Sequence, residues 1–189
     1  MSPAATHVRD LRERPAVSNL LIISGAPSPA APTGLVVSHV GALLEAAGHR
    51  VTHLNVRALP TLSLLTEDLR DQEIAAAVSA VLSADGVVVA SPVYRAAYSG
   101  LVKALLDLLP KKALRGRAVL PLATGGSQGF LVAMDYALHP LLASKGADQV
   151  VRGEFVLDQN VGTPAAALAL EAATDRFTTA LTPRLRKAG

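Results

Sequence analysis

Tyr94 and Tyr98 sit four residues apart, between an apolar run and a helical pattern, in a chain with only three tyrosines, three phenylalanines and no tryptophan. Aromatic side chains held on a short loop can grip something flat. A second cluster, Gly125-Gly126-Ser127-Gln128-Gly129, matches the Gly-x-Ser-x-Gly of a hydrolase nucleophile elbow. That reading lacks a base. The only later histidine is His139, and on a helix rising about 1.5 Å per residue it lies roughly 18 Å further along the axis. The cluster reads better as a Gly-rich turn whose backbone N–H groups approach a ligand edge closely. His7, His39, His49, His53 and His139 show no metal-ligand spacing, and the absence of cysteine removes thiolate metal sites, thiolate catalysis and disulfides. No metal ligand and no general acid or base is assigned. Lys103 and Asp107 are spaced as an ordinary exposed helix pair.

These residues need elements to hold them. Apolar, β-branched runs at residues 19–24, 50–56, 86–91, 117–123 and 149–157 predict strands. Helical patterns cover 33–47, 67–82, 99–109, 129–145 and 164–186. Pro92 is expected to end the third strand, Ser99 to cap the next helix and Pro110 to stop it. Gly48 suits the residue after a helix, and Thr163-Pro164 suits an N-cap followed by proline. Five βα units in succession predict an α/β fold with helices on both faces of a parallel sheet. The expected order is flavodoxin-like, 2-1-3-4-5, with the ligand crevice outside the carboxyl ends of the strands. Three loops can then touch a ligand: 25–33, 91–99 and 124–129, each opening a helix. A helix N-terminus suits a phosphate. No Gly-x-Gly-x-x-Gly and no Walker A sequence is present, so a Rossmann fingerprint is excluded.

Composition bounds the rest. The 189 residues fit one domain over 19–189, with residues 1–18 read as a flexible N-terminal extension rather than a signal peptide. No apolar run approaches the roughly 20 residues of a membrane span. A net charge of +3 without a Lys/Arg cluster gives nucleic-acid binding no support. The absence of cysteine is compatible with a reducing cytoplasm.

The segment Ser91-Pro92-Val93-Tyr94-Arg95-Ala96-Ala97-Tyr98-Ser99-Gly100, followed by Lys103-Ala104-Leu105-Leu106-Asp107-Leu108-Leu109-Pro110, resembles NADPH-dependent FMN reductases of the alkanesulfonate-utilisation type. Residues 119–126 and 133–140 resemble the same family, and the likeness is nearly continuous from Asp85 to Gly153. The resemblance implies transient FMN binding, hydride delivery from NADPH, and transfer of reduced FMN to a partner flavin-dependent monooxygenase. It further implies that Pro92, Val93 and Tyr94 line the flavin ring, while Thr124, Gly125, Gly126 and Ser127 meet its edge. Tyr136 matches a tyrosine that forms a π-bulge at the tetramer interface, so a homodimer or homotetramer is expected.

One loop departs from the family. Where relatives carry Gly-Ser-x-Arg and further serines around the FMN phosphate, this chain reads Gly25-Ala26-Pro27-Ser28-Pro29-Ala30-Ala31-Pro32-Thr33. Ser28 occupies the arginine position, and the prolines remove backbone donors. Ser28, Thr33 and the N–H groups opening the helix are left for the phosphate, so weak FMN affinity is expected. Two alternatives stay open: a flavin-retaining NAD(P)H quinone or azo reductase of the same fold, and a non-catalytic relative with a degraded phosphate site. A one-electron carrier is disfavoured, because such proteins are usually acidic and this chain is not.

Overall fold

The computed structural model describes residues 17–181. Residues 1–16 of the expected extension, and the end of the last expected helix, lie outside the described residues. Strand β1 (Asn19–Ser24) lies between β2 (Arg50–Asn55) and β3 (Gly86–Tyr94), both parallel to it. Beyond β3 comes β5 (Ala118–Gly125), again parallel. On its far side β5 pairs with two short strands in line, β6 (Gln149–Val150) and β7 (Glu154–Leu157). The path β2-β1-β3-β5-β6 is the flavodoxin-like order with one strand divided. Side chains alternate between the faces, as a doubly covered sheet requires. Leu20, Ile22, Val88, Leu120 and Leu122 meet helices α1 (Pro32–Ala46) and α6 (Pro164–Ala180). Leu21, Ile23, Val87, Val89 and Val119 meet α3 (Gln72–Ser83) and α4 (Gly100–Leu108).

Two prolines explain where the strands depart from expectation. Pro92 does not end β3, which runs on to Tyr94. The carbonyl of Ala90 accepts from the Gly25 N–H just past the end of β1, and Pro92 faces the same side two residues later. β1 has ended by that point, so the missing N–H leaves no ladder bond to β1 unmade. Pro121 has the opposite effect. The Val119 carbonyl accepts from the Val151 N–H, so Pro121, two residues on, faces the edge strand without a donor. From Val119↔Val150 to Leu122↔Glu154, β5 advances three residues and the edge advances four. The extra residue bulges out and splits the expected fifth strand. Gly153 passes so close that a Cβ there would sit 2.2 Å from the Pro121 carbonyl oxygen.

The seventh strand, β4 (Ala97–Tyr98), folds back on the end of β3 with Val93↔Tyr98 and Tyr94↔Ala97 paired. Arg95 and Ala96 form the turn, with φ of +48° and +63°. Positive φ at both central residues is the mark of a type I′ hairpin, normally left to Asn and Gly. Strain of about 1 kcal/mol per residue is stored at this tip.

The helices also differ in detail. In place of one helix over 67–82, a short α2 (Thr61–Leu65) precedes α3. The Asp71 carboxylate caps α3 by accepting from the Glu73 and Ile74 N–H groups. Bonds from the Ser63 hydroxyl and these N–H groups hold its pKa below the usual carboxylate range. The expected helix over 129–145 is a 3-10 turn (Gln128–Leu131), a π-helix (Met134–Leu138) and α5 (His139–Ser144). Thr163 caps α6 through the Ala166 N–H, and Gly48, with φ +88°, closes α1 as anticipated. Arg117, just before β5, is buried and donates to the carbonyls of Leu82, Ala84 and Ala113. It ties the end of α3 to the start of β5. Among the described residues, no helix is long and apolar enough to cross a membrane.

Candidate functional site

The carboxyl ends of β1, β3 and β5 open on one cleft of about 390 Å³. That size falls in the range of small-molecule sites. One wall is the first loop and the start of α1: Pro27, Ala31, Pro32 and Thr33. The opposite wall is Pro92, Val93, Tyr94 and Arg95 from the β3–β4 hairpin. Thr124, Gly126 and Phe130 form the floor after β5, and Asp158, just beyond β7, closes the end. The three loops expected to meet at the switch point do meet there.

The hairpin wall is anchored by one buried hydroxyl. The Ser91 side chain accepts from the Ser99 N–H at 2.9 Å and donates to the Pro92 carbonyl, also at 2.9 Å. Ser99 takes the expected N-cap position of α4 but makes no side-chain cap bond; its backbone N–H donates to Ser91. This clamp leaves Tyr94 at the mouth, 58% exposed, as an aromatic face presented to the cleft. Tyr98 points away from it, half-buried against the core, where burial raises its phenol pKa.

The two threonines expected at opposite ends of the ligand touch each other. Thr33 and Thr124 are buried, and their hydroxyl oxygens lie 2.6 Å apart in a hydrogen bond. The bond joins the first turn of α1 to the carboxyl end of β5. Gly34 reinforces the junction. A Cβ there would lie 2.4 Å from the Pro29 carbonyl oxygen and 2.5 Å from that of Ser28, so the loop folds tightly over the first turn of the helix. Only glycine leaves room for that approach.

Three further expected residues stand apart from the lining. Ser28 is exposed, and its carbonyl accepts from the Ala31 N–H. Gly125 is buried, with Phe155, Phe130 and the Val93 carbonyl around its α-carbon. Ser127 is exposed at the start of the 3-10 turn, and the histidine that a hydrolase would need lines a different cavity, beside the π-helix. Tyr136 lies in that π-helix, 81% exposed and remote from the cleft lining. Pro27, Ala31 and Pro32 belong to the expected 25–33 loop without having been singled out, whereas Phe130 and Asp158 lie outside the three expected loops. Asp158 was detectable, since it directly follows the last expected strand at its carboxyl end. The described residues hold no cluster of acidic, histidine or cysteine side chains able to bind a metal ion.

Tyr94, Thr124 and Gly126 line the same cleft. The first loop, by contrast, offers an anion hydroxyls and helix N–H groups but no cation.

Comparison with known proteins identifies the family. A family model described as NADPH-dependent FMN reductase matches residues 18–162. The FMN reductase (NADPH) of Escherichia coli K12 is 37% identical over 142 residues, covering 75% of this chain and 74% of its own. The NADH-dependent FMN reductase SfnF of Pseudomonas fluorescens is 33% identical over 169 residues, covering 82% and 90%. Among solved structures, the apo form of the NADH:FMN oxidoreductase EMOB superposes with a TM-score of 0.83 at 37% identity, over 89% of this chain and 92% of that one. Flavodoxin 1 of Bacillus cereus, 14% identical with a TM-score of 0.65 over 87% of this chain and all of its own, shares the fold. The chain belongs to the NADPH-dependent FMN reductase family, an oxidoreductase whose ligands are FMN and NADPH.

Proposed function

We propose that this reductase uses FMN as a dissociating substrate and supplies reduced FMN to a flavin-dependent monooxygenase. The observation that carries the reading is the imbalance of the cleft. Its ring wall is built and open, with Tyr94 at the mouth, while its phosphate wall lacks a cation. Charge-assisted hydrogen bonds are roughly twice as strong as neutral ones, so a phosphate wall of hydroxyls and N–H groups, with no cation of its own, contributes only a loose hold. Loose retention suits a flavin that must leave reduced.

The chemistry of hydride transfer belongs to NADPH and FMN. The protein's part is to position them. Pro92, Val93 and Tyr94 would cover one face of the ring, and the backbone of Thr124 and Gly126 would meet its edge. Thr33 would offer its hydroxyl and the helix N-terminus to the phosphate, with Ser28 at the rim. No side chain of the cleft is asked to act as general acid or base. The face of the ring away from Tyr94 is where the nicotinamide would stack.

The family resemblance supports a subunit interface at Tyr136. Its ring stands 81% exposed on the π-helix, close in sequence to Val132, itself 43% exposed. A second copy of the chain covering this face is the reading we adopt, giving a homodimer or homotetramer.

Steady-state kinetics test the substrate role of FMN. With FMN and NADPH both varied, intersecting lines and an FMN-free protein after desalting are expected. Ping-pong lines, with flavin retained through desalting, would instead favour the quinone or azo reductase reading.

A further inference from the structure

We infer that Arg95 is the residue through which the cleft recognises a nucleotide phosphate, and that it thereby sets the preference among substrates. The inference rests on the reductase reading for its choice of ligands. Among the described lining residues, Arg95 is the one cation and Asp158 the one anion. The first loop, from Gly25 to Thr33, contains neither lysine nor arginine. A phosphate entering this cleft therefore has Arg95 as its single positive partner within the lining.

The hairpin presents that partner in a fixed way. Arg95 and Ala96 hold φ of +48° and +63° without help from Gly or Asn. Strain of this kind persists only where its surroundings over-determine it, and it clusters at ligand clamps. The surroundings are visible: two ladder pairs, Val93↔Tyr98 and Tyr94↔Ala97, close the hairpin, and the Ser91 hydroxyl clamps its base to Ser99. Arg95 thus rides on a two-residue turn at the rim. Its guanidinium makes no hydrogen bond or ion pair with any described residue, although it lines the cleft. A planar guanidinium recognises a phosphate through two parallel N–H donors, which a lysine cannot reproduce fully.

Two phosphate monoesters offer this chemistry here, the terminal phosphate of FMN and the 2′-phosphate of NADPH. Riboflavin and NADH are the matched probes without it. Arg95→Gln should raise the KM of the phosphorylated partner about tenfold or more, and that of its counterpart less than about twofold. Arg95→Lys should recover part of the loss, and added salt should erode the wild-type advantage. A loss confined to FMN assigns the flavin phosphate; a loss confined to NADPH assigns the 2′-phosphate. Equal effects on phosphorylated and unphosphorylated partners, or none, would overturn the inference. Ala96→Gly relaxes the turn and keeps the charge; if it reproduces the Arg95→Gln pattern, turn geometry is the cause and the inference falls. Titrations with FMN, riboflavin and NADP+, followed by fluorescence, read the same preference without turnover. Should the wild type oxidise neither nucleotide with either flavin, the reductase reading falls, and these titrations still decide Arg95.

Discussion

At the residue scale, the cleft depends on a buried pair of hydroxyls. Thr33 and Thr124 bond to each other in a buried setting, so either alone would leave an orphaned hydroxyl. Thr33→Val should lower stability by about 1–2 kcal/mol in urea unfolding and raise the KM for FMN. Thr33→Val with Thr124→Val should recover much of the stability and none of the KM, since removing both partners is nearly neutral. A double variant as unstable as the sum of the singles would refute the pairing. Sequence made these threonines visible because each stands at a strand-to-helix junction, yet their contact was hidden, being a meeting of residues 91 apart. Ser28 stands at the family's arginine position, but its side chain is exposed while its carbonyl packs over Gly34. Arg95 and Ala96 could not be foreseen as a type I′ turn, because neither is a residue that the turn prefers.

At the element scale, the strand order was legible because alternation of apolar runs with helical patterns dictates a parallel sheet. Proline was the element-level error, and its effect depends on which neighbour the missing N–H faces. Pro92 faces a side that β1 has already vacated, whereas Pro121 faces the edge strand and breaks it. No one-dimensional pattern carries that parity. The π-helix is similarly absent from periodicity, since a single wide turn shifts the register without changing composition. Arg117 links elements from within the core. Arg117→Leu strands the carbonyls of Leu82, Ala84 and Ala113 without their donor, and should cost about 3 kcal/mol in denaturant unfolding. A loss below about 0.5 kcal/mol would mean that water replaces the guanidinium freely.

For the whole molecule, pH and assembly are the accessible levers. His49 is buried at the start of β2, where its Nδ1 accepts from the Ser18 N–H. Burial lowers its pKa from the ordinary 6.5. The unfolded chain therefore binds a proton first as pH falls, so this contribution is intact above about 6.5 and declines below it, toward the lower folded pKa. Thermal unfolding should show a fall in Tm over that window, flattened in His49→Gln. Assembly is read at the π-helix: Tyr136→Ala should shift the sedimentation mass toward the monomer while leaving the far-UV spectrum unchanged. An unchanged mass would place the interface elsewhere.

The central claim is that added FMN is the substrate that NADPH reduces. Anaerobic NADPH oxidation by the desalted protein, with and without FMN, measures this most directly. The account predicts negligible oxidation without flavin and, with FMN in excess over enzyme, one FMN reduced per NADPH consumed over many turnovers, seen as bleaching of the free flavin. No FMN-dependent oxidation, or oxidation that stops after one enzyme equivalent of flavin, would contradict it.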